Sequence, residues 1–233
     1  MTRKFKRITE CYTDLKYVFD PLPAGEYIVQ KTSKQGGNFV LHCTQSSSVK
    51  YLRQVWQNDR QGAIATMFAA DKDGTLYQFF EEDYWAYASA MGAGYDKQAI
   101  QCEMANKAFL KYTGGRYYWM AGGKWVIYDD GMPFKSAQPW QGYQFWDPYP
   151  PEQVETVAKL TAYILYNHGI PLEFHADYRY ERAVAQKKGV VQHSNLSLQR
   201  CDPGPAFPFA EYEKKARAYF LELCNKHGFP IYG

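Results

Sequence analysis

The sequence lacks the features that mark membrane, secreted and nucleic-acid-binding proteins. It has no run of roughly 18 apolar residues, so we expect no transmembrane helix. The formal net charge at pH 7 is only +3, which gives no electrostatic reason to expect a nucleic-acid partner. The basic residues 1–7 are not followed by an apolar segment, so we expect no secretory signal peptide and synthesis in the cytoplasm.

Cysteines are too few and too irregularly spaced to indicate a disulfide framework. Their odd number favours free thiols in a reducing compartment, where each is best interpreted as a small buried residue. The five cysteines are Cys11, Cys43, Cys102, Cys201 and Cys224. Internal repeats, low-complexity segments and linkers are absent as well, so the 233 residues predict one mixed α/β domain.

Apolar runs bounded by turn residues predict the strands of a sheet. The runs 63–70 and 75–80 flank Asp71-Lys72-Asp73-Gly74, and an acidic residue followed by glycine between such runs is typical of a hairpin. The other predicted strands are residues 26–31, 38–44 and 98–105. Residues 109–128 contain two further aromatic runs broken by glycine pairs, which predict an inserted aromatic β-meander.

Three helices and three connections complete the predicted organisation. The serines at 46–48 can cap a helix over residues 49–58, and Gly169 ends a helix that begins at Pro151. A last amphipathic helix is predicted from about Phe209 to Cys224. The predicted connections are an arm or leading helix over 1–25, a long irregular loop over 130–151 and a polar segment over 172–191, with or without a short helix.

The segment from Val191 to Phe207 has the most informative chemistry, and it reads V-Q-H-S-N-L-S-L-Q-R-C-D-P-G-P-A-F. It places His193, Arg200 and Asp202 in one short loop, where the prolines and glycine fix the direction of the aspartate. Imidazole and carboxylate groups are typical ligands of catalytic zinc, which takes three protein ligands and leaves a fourth position for water. The loop could therefore supply two ligands, and a third must come from elsewhere.

His42 is the best candidate for the third ligand. It ends an apolar strand and is followed by polar residues, as expected at the open edge of a sheet. His168 and His227 adjoin glycines at predicted helix ends, where an imidazole meets free backbone carbonyls. His175 is a candidate for substrate contact or for a structural role. The residues alone leave open whether His42 and the loop bind a metal or are ordinary buried polar groups.

Four segments, in order along the chain, resemble zinc-dependent N-acetylmuramoyl-L-alanine amidases of the type 2 class. This class includes bacterial cell-wall recycling amidases, amidase-type phage lysozymes and peptidoglycan recognition proteins. The similar segments are the first histidine strand at 39–44, the hairpin at 65–78, the "GIE" strand at 100–103 and the closing "DPGPAF" loop at 193–207. Residues 149–153 also resemble the start of the helix before that loop, and the resemblance extends over residues 35–210 with gaps.

The resemblance implies an α/β fold with a central mixed sheet flanked by helices. It assigns residues 35–233 to a zinc amidase domain, preceded by an arm and first strand in residues 1–34. The implied cofactor is Zn²⁺, and the implied substrate is peptidoglycan or a muropeptide. The bond cut is the amide between the lactyl group of N-acetylmuramic acid and L-alanine.

Position by position, the resemblance implies that His42, His193 and Asp202 bind zinc. Zinc lowers the pKa of its bound water toward about 7. Glu103 is the implied catalytic carboxylate, which takes the water proton and passes it to the leaving amine. Arg200 stands where the family usually has lysine and is expected to stabilise the oxyanion.

The sequence departs from the family pattern at several positions. The spacing from His193 to Asp202 is one residue shorter than usual, and arginine at 200 keeps the charge but does not act as an acid. Tyr87 replaces a familiar histidine after the hairpin, and Thr66 replaces a tyrosine of some phage enzymes. We expect Tyr87, Thr66 and His175 to be candidates for substrate contact.

Two longer stretches, 106–148 and 176–190, exceed a minimal member of the family. We expect them to shape a substrate groove rather than merely cover the sheet edge, because four tryptophans cluster in the first of them. These are Trp119, Trp125, Trp140 and Trp146.

Several biological settings fit the resemblance. A phage-type cell-wall lysin is preferred, because residues 42–44 resemble those lysozymes and the aromatic segments suit an extended polymer. A cytosolic muropeptide-recycling amidase, a delivered effector and a non-catalytic peptidoglycan-binding module are alternatives. A regulatory role through contact with a protein partner also stays open.

Overall fold

The computed structural model describes residues 4–58 and 62–229. In chain order the strands are β1 (Tyr17–Phe19), β2 (Asn38–Cys43), β3 (Phe68–Ala70), β4 (Leu76–Gln78), β5 (Ala99–Met104), β6 (Phe109–Thr113), β7 (Arg116–Ala121), β8 (Lys124–Ile127), β9 (Phe134–Trp140), β10 (Tyr143–Trp146) and β11 (Gly189–Gln192). The helices are α1 (Val49–Asn58), α2 (Ala93–Asp96), α3 (Pro151–His168), α4 (Arg182–Ala185), α5 (His193–Leu196) and α6 (Phe209–His227), with a 3₁₀ turn at Ile8–Glu10.

The strands form two sheets. The central sheet has six strands in the order β1-β4-β3-β5-β2-β11, and it is mixed because β3 and β4 form an antiparallel hairpin while the other neighbours are parallel. The second sheet has five antiparallel strands in the order β8-β7-β6-β10-β9. The predicted mixed sheet flanked by helices and the predicted aromatic meander, β6 to β8, are both confirmed.

The central sheet is covered on both faces. All six residues of β2 are buried, as is typical of a strand in the middle of a parallel sheet. Phe39 and Leu41 join the main core with the packed helices α3 and α6, whereas Val40 joins a smaller cluster with Val191 and Leu196. Since side chains alternate along a strand, His42 lies on the same face as Val40.

Helix α3 has the bounds that its sequence predicts. Pro151 occupies its first turn, where a missing N–H costs nothing. Gly169 follows the last turn with φ 59, and its N–H donates to the Leu165 carbonyl. The left-handed conformation explains why glycine ends this helix. Helix α1 is confirmed as well, and the Ser48 hydroxyl accepts the Tyr51 N–H at its start.

The N-terminal arm is fastened to this core. The Asn167 side chain accepts the Phe5 N–H and donates to the Phe5 carbonyl, at 3.0 and 2.8 Å. Phe5, Ile8 and Leu22 are buried in the main cluster. Among residues 4–58 and 62–229, no helix is long and apolar enough to cross a membrane.

Three predictions about secondary structure were wrong. Residues 26–31 form no strand and make only an isolated bridge from Ile28 to Trp85, while β1 lies within the predicted arm. The predicted loop 130–151 contains β9 and β10, because Pro139 and polar residues are tolerated on an edge strand such as β9. The polar segment 172–191 contains a short helix, α4, as the sequence allowed, but it also ends in β11, which is held by pairing with β2.

Candidate metal centre and active site

Three side chains converge at the carboxyl ends of β2 and β11. His42 lies near the end of β2, His193 begins α5 directly after β11, and Asp202 lies in the loop that follows. The Nδ1 atoms of His42 and His193 are 2.9 Å apart. Asp202 Oδ2 lies 3.0 Å from His193 Nδ1 and 3.7 Å from His42 Nδ1. Ligands commonly bind at the carboxyl ends of neighbouring parallel strands such as these.

The three atoms fit a tetrahedral metal ion. Zinc bonds to nitrogen and carboxylate oxygen are about 2.0–2.2 Å long, which places neighbouring ligand atoms about 3.3 Å apart in a tetrahedron. The three measured separations lie on either side of that value. Two imidazoles and one carboxylate, all buried, also form a typical donor set for zinc. His42, His193 and Asp202 can therefore hold the ion that the resemblance implies.

The protonation states of this cluster suit metal binding. Burial lowers the pKa of His42 to about 3, and the neighbouring His193 acts in the same direction. Burial alone would raise the pKa of Asp202, but His193, His42 and the Cys43 amide outweigh it and lower that pKa to about 2. At neutral pH His42 is therefore a neutral imidazole and Asp202 a carboxylate, which are the forms that bind a metal.

The loop after α5 holds Asp202 in place by contacts on several sides. Its carbonyl accepts the Ser194 N–H at 3.0 Å, and its carboxylate accepts the Cys43 N–H at 3.3 Å. The Tyr149 hydroxyl donates to the Pro203 carbonyl at 2.8 Å. A Cβ on Gly204 would lie only 2.8 Å from the ring of Trp146, so the loop can approach this close only with glycine.

Glu103 lies beside the three candidate ligands. It is the register partner of His42 on β5, and partners in neighbouring parallel strands share a face. Its Oε2 atom is buried and has no hydrogen-bond partner among the described residues. Burial, followed by the charge of Asp202, raises the pKa of Glu103 well above its usual range, while the charge of Arg200 opposes this. A half-buried carboxyl with a raised pKa is suited to proton transfer.

Arg200 lies in the exposed part of the same loop. Its backbone N–H donates to the Ser197 carbonyl, and its own carbonyl accepts the Gln141 side-chain amide at 2.8 Å. Its charge acts on both His42 and Glu103, so it lies within electrostatic reach of the cluster. The loop therefore connects the candidate metal centre to the second sheet through Gln141.

The three predicted substrate contacts are not brought together with the cluster. Tyr87 is 42% exposed and packs edge-on against Trp85. Thr66 is buried and its hydroxyl donates to the Phe68 carbonyl, so this placement gives it no access to a substrate. His175 lies beside β11, where its N–H donates to the Val190 carbonyl, and its Nε2 lies 3.4 Å from the Lys188 carbonyl rather than at the cluster.

Two polar residues of the site were missed in the sequence. Gln101 Oε1 lies 2.9 Å from His42 Nε2, and Gln101 Nε2 donates to Asp96 Oδ1 at 2.8 Å. The available signal was the alternation along β5, which places Gln101 on the same face as Glu103. That signal becomes useful only when the register between β5 and β2 is known.

Two clefts adjoin at Gln141, and Arg200 lines the smaller of them. The smaller, of about 210 Å³, is lined by Trp140, Gln141, Arg179, Tyr180, Ser194, Ser197, Leu198 and Arg200. The larger, of about 580 Å³, lies on the second sheet and is lined by Leu110, Lys111, Tyr112, Trp125, Gln141, Gly142, Tyr143, Gln144 and Phe145. Gln141 lines both clefts. Of the four clustered tryptophans, Trp125 and Trp140 line these clefts. Trp146 lies in the core, and Trp119 lines neither cleft.

Comparison with known proteins finds the same family that the sequence motifs resemble. A sequence model of the family described as N-acetylmuramoyl-L-alanine amidase matches residues 36–205. No curated protein sequence matches the chain.

Two solved structures share its fold. One is the N-acetylmuramyl-L-alanine amidase AmiD from E. coli, in complex with the substrate anhydro-N-acetylmuramic acid-L-Ala-D-gamma-Glu-L-Lys. It has 17% identity and a TM-score of 0.51, and the alignment covers 81% of this chain and 60% of AmiD. The other is a mutant endolysin from Bacillus subtilis, with 11% identity, a TM-score of 0.51 and coverage of 87% and 99%. The chain thus spans less than two thirds of AmiD.

Proposed function

The chain belongs to the N-acetylmuramoyl-L-alanine amidase family, and from this premise we propose that it is a zinc-dependent hydrolase of peptidoglycan. The bond that it cuts is the amide between N-acetylmuramic acid and the L-alanine of the stem peptide. The observation that carries the proposal is the convergence of His42, His193 and Asp202 beside Glu103. A non-catalytic binding module of the same fold would not need three ligands and an adjacent carboxyl together.

In this proposal the metal supplies Lewis-acid chemistry: zinc, when bound, lowers the pKa of a water molecule and polarises the scissile carbonyl. Glu103 Oε2 takes the proton from the attacking water and delivers it to the nitrogen of the departing L-alanine. Its raised pKa supports the second half of this task, because a carboxyl that holds a proton can give it to an amine.

Arg200 has the electrostatic role in this mechanism. Its guanidinium stays charged at any physiological pH and donates hydrogen bonds without acting as an acid. The exposed loop position lets it reach a substrate that enters beside the cluster. We assign it to the oxyanion that develops on the attacked carbonyl.

The two clefts support an extended substrate. Gln141 lines both, so a chain that enters beside Arg200 could continue onto the second sheet. Trp125, Tyr112 and Tyr143 offer aromatic surface in the larger cleft. A polymeric substrate uses such a surface, whereas a small soluble muropeptide does not need it. We therefore favour a cell-wall lysin of the phage type over a muropeptide-recycling enzyme.

Analysis of the products tests this function. Purified sacculi and a soluble anhydro-muropeptide are each digested in zinc-containing buffer and analysed by mass spectrometry. We expect stem peptides with a free L-alanine amine and glycans with a free lactyl carboxylate, with faster release from sacculi. Cleavage of a different bond, or binding without turnover, would contradict the proposal. Faster cleavage of the soluble fragment would favour the recycling role.

A further inference from the structure

A buried chain of hydrogen bonds runs away from the candidate metal centre beneath His42. His42 Nε2 lies 2.9 Å from Gln101 Oε1, and Gln101 Nε2 lies 2.8 Å from Asp96 Oδ1. Gln101 is 4% exposed and Asp96 is 1% exposed, so both groups are shielded from bulk solvent. Such a chain has a direction, because each contact needs one donor and one acceptor.

The direction is set at Asp96. Its Oδ1 atom also accepts the N–H groups of Ser89 and Ala88, at 3.0 and 3.4 Å, and therefore acts as an acceptor. The end of α2 that bears it is held by Lys34, whose ammonium donates to the Lys97 carbonyl at 2.8 Å. An acceptor at this position must face the NH₂ group of the Gln101 amide rather than its oxygen.

The orientation of the amide then determines the state of His42. With its NH₂ group on Asp96, Gln101 presents its oxygen to His42 Nε2, and an oxygen can only accept. A neutral His42 must then carry its proton on Nε2. Its Nδ1 atom is left with a bare lone pair, directed at His193 Nδ1 and Asp202 Oδ2.

We propose that Gln101 and Asp96 are positioning residues that hold His42 in the Nε2–H tautomer and so keep Nδ1 available as a metal ligand. The inference rests on the proposed zinc-binding role of His42. Without Gln101, a proton on Nδ1 could instead be shared with His193 Nδ1, 2.9 Å away, or with Asp202. That arrangement would block the lone pair that a metal requires.

The tautomer is measured directly in the metal-free protein. With ¹⁵N-labelled histidine, we expect His42 in the wild-type protein to show a protonated Nε2 and a bare Nδ1. Gln101→Met removes the acceptor, and we expect a mixture of tautomers. Gln78→Met is the matched control, because Gln78 is equally buried but contacts Phe80 and Tyr17 instead of His42.

Zinc binding gives a second readout, with zinc itself as the probe in competition with a chelator. We expect Gln101→Met to weaken zinc binding on the order of 10- to 100-fold, and Gln78→Met to leave it unchanged. Asp96→Asn keeps an amide oxygen that can accept the Ser89 and Ala88 N–H groups and the Gln101 NH₂ group, so we expect it to keep both the tautomer and the zinc affinity. Asp96→Ala removes that acceptor, and we expect the same mixture of tautomers as in Gln101→Met, which provides a second test if Gln101→Met fails to fold.

The outcomes separate this inference from the proposed function. An unchanged His42 tautomer and zinc affinity in Gln101→Met and Asp96→Ala, or loss of both in Asp96→Asn, would overturn the roles of Gln101 and Asp96. The NMR measurement needs neither zinc nor turnover, so it remains decisive if the wild-type protein cleaves no peptidoglycan. Failure of the wild-type protein to bind zinc contradicts the proposed function instead.

Discussion

His42 and Glu103 are register partners on adjacent parallel strands, so the sheet itself places a candidate ligand and a candidate proton carrier side by side. Neither position depends on a mobile loop, since β2 and β5 are central strands of the sheet. The closing loop then adds Asp202, whose carboxylate accepts the N–H of Cys43, the residue after His42. The site therefore combines a rigid strand pair with one anchored loop.

Glu103→Gln should separate chemistry from metal binding. The variant keeps the size of the side chain and leaves His42, His193 and Asp202 unchanged, but it cannot transfer a proton. We expect kcat to fall by about 10²- to 10⁴-fold, while bound zinc, measured by metal analysis, stays at the wild-type level. Loss of zinc together with activity would instead place Glu103 among the metal ligands.

The metal-free protein should lose stability in mild acid because of His42. Its pKa is about 3 in the folded protein and 6.5 when unperturbed, so between these values only the unfolded chain binds the proton. The free energy of unfolding therefore falls as the pH falls from 6.5 toward 3, by up to about 1.4 kcal/mol per pH unit. Asp202 adds to this loss only below pH 3.8, the unperturbed pKa of its carboxyl, because its pKa in the folded protein is lowered to about 2.

Urea unfolding in the presence of a chelator, between pH 7 and pH 4.5, measures this effect. His42→Gln removes the titrating group, and we expect a shallower dependence on pH than in the wild-type protein. His175→Gln, at a histidine outside the cluster whose Nε2 lies 3.4 Å from the Lys188 carbonyl, is the comparison variant. Identical slopes for the His42 variant and the wild-type protein would show that His42 is not held neutral by the fold.

Gly204→Ala should disturb the loop that holds Asp202. Its φ is +81, and a Cβ there would meet the Trp146 ring at 2.8 Å. Gly115 has a similar φ of +76 but nothing within 4 Å of its added Cβ, so Gly115→Ala is a matched control for the backbone cost alone. We expect Gly115→Ala to cost about 1–2 kcal/mol and Gly204→Ala at least about 1 kcal/mol more.

The same pair of variants tests the placement of Asp202. Zinc affinity should fall in Gly204→Ala and stay at the wild-type value in Gly115→Ala. Equal losses of stability in thermal unfolding, with zinc affinity unchanged in both variants, would show that the contact with Trp146 does not position the ligand.

Trp125→Ala should affect long substrates more than short ones. Trp125 lines the larger cleft, whereas the neighbouring Val126 points to the opposite face of β8 and does not line it. We expect Trp125→Ala to lower the rate on sacculi several-fold, with an unchanged rate on soluble anhydro-muropeptide and no effect of Val126→Ala. Equal effects of Trp125→Ala on both substrates would argue against an extended groove.

Local signals in the sequence were sufficient to predict β2 and β5, two of the strands that build the site, and helix α3. Strand β2 has a continuous apolar run, and α3 has proline at its start and glycine at its end. Strands β9 and β11 escaped prediction for a physical reason. The first is a polar edge strand with Pro139, and the second is a four-residue strand that depends on pairing with β2.

The candidate ligands were found by the sequence pattern because chemistry restricts their residue types. His42, His193 and Asp202 lie in motifs whose residues are few and distinctive. Gln101 and Asp96 carry no such signal, since glutamine and aspartate are common on any surface. Their relation to His42 arises only from the strand register and from burial, both of which are long-range properties of the fold.

In the proposed mechanism, hydrolysis requires a metal held by His42, His193 and Asp202. The most direct measurement is the release of L-alanine amino groups from purified sacculi before chelation, after chelation and after zinc is restored, with His42→Ala and Asp202→Ala in parallel. We expect chelation to abolish release, zinc to restore it in the wild-type protein, and neither ligand variant to recover. Full release by the chelated protein, or by either variant, would contradict the account.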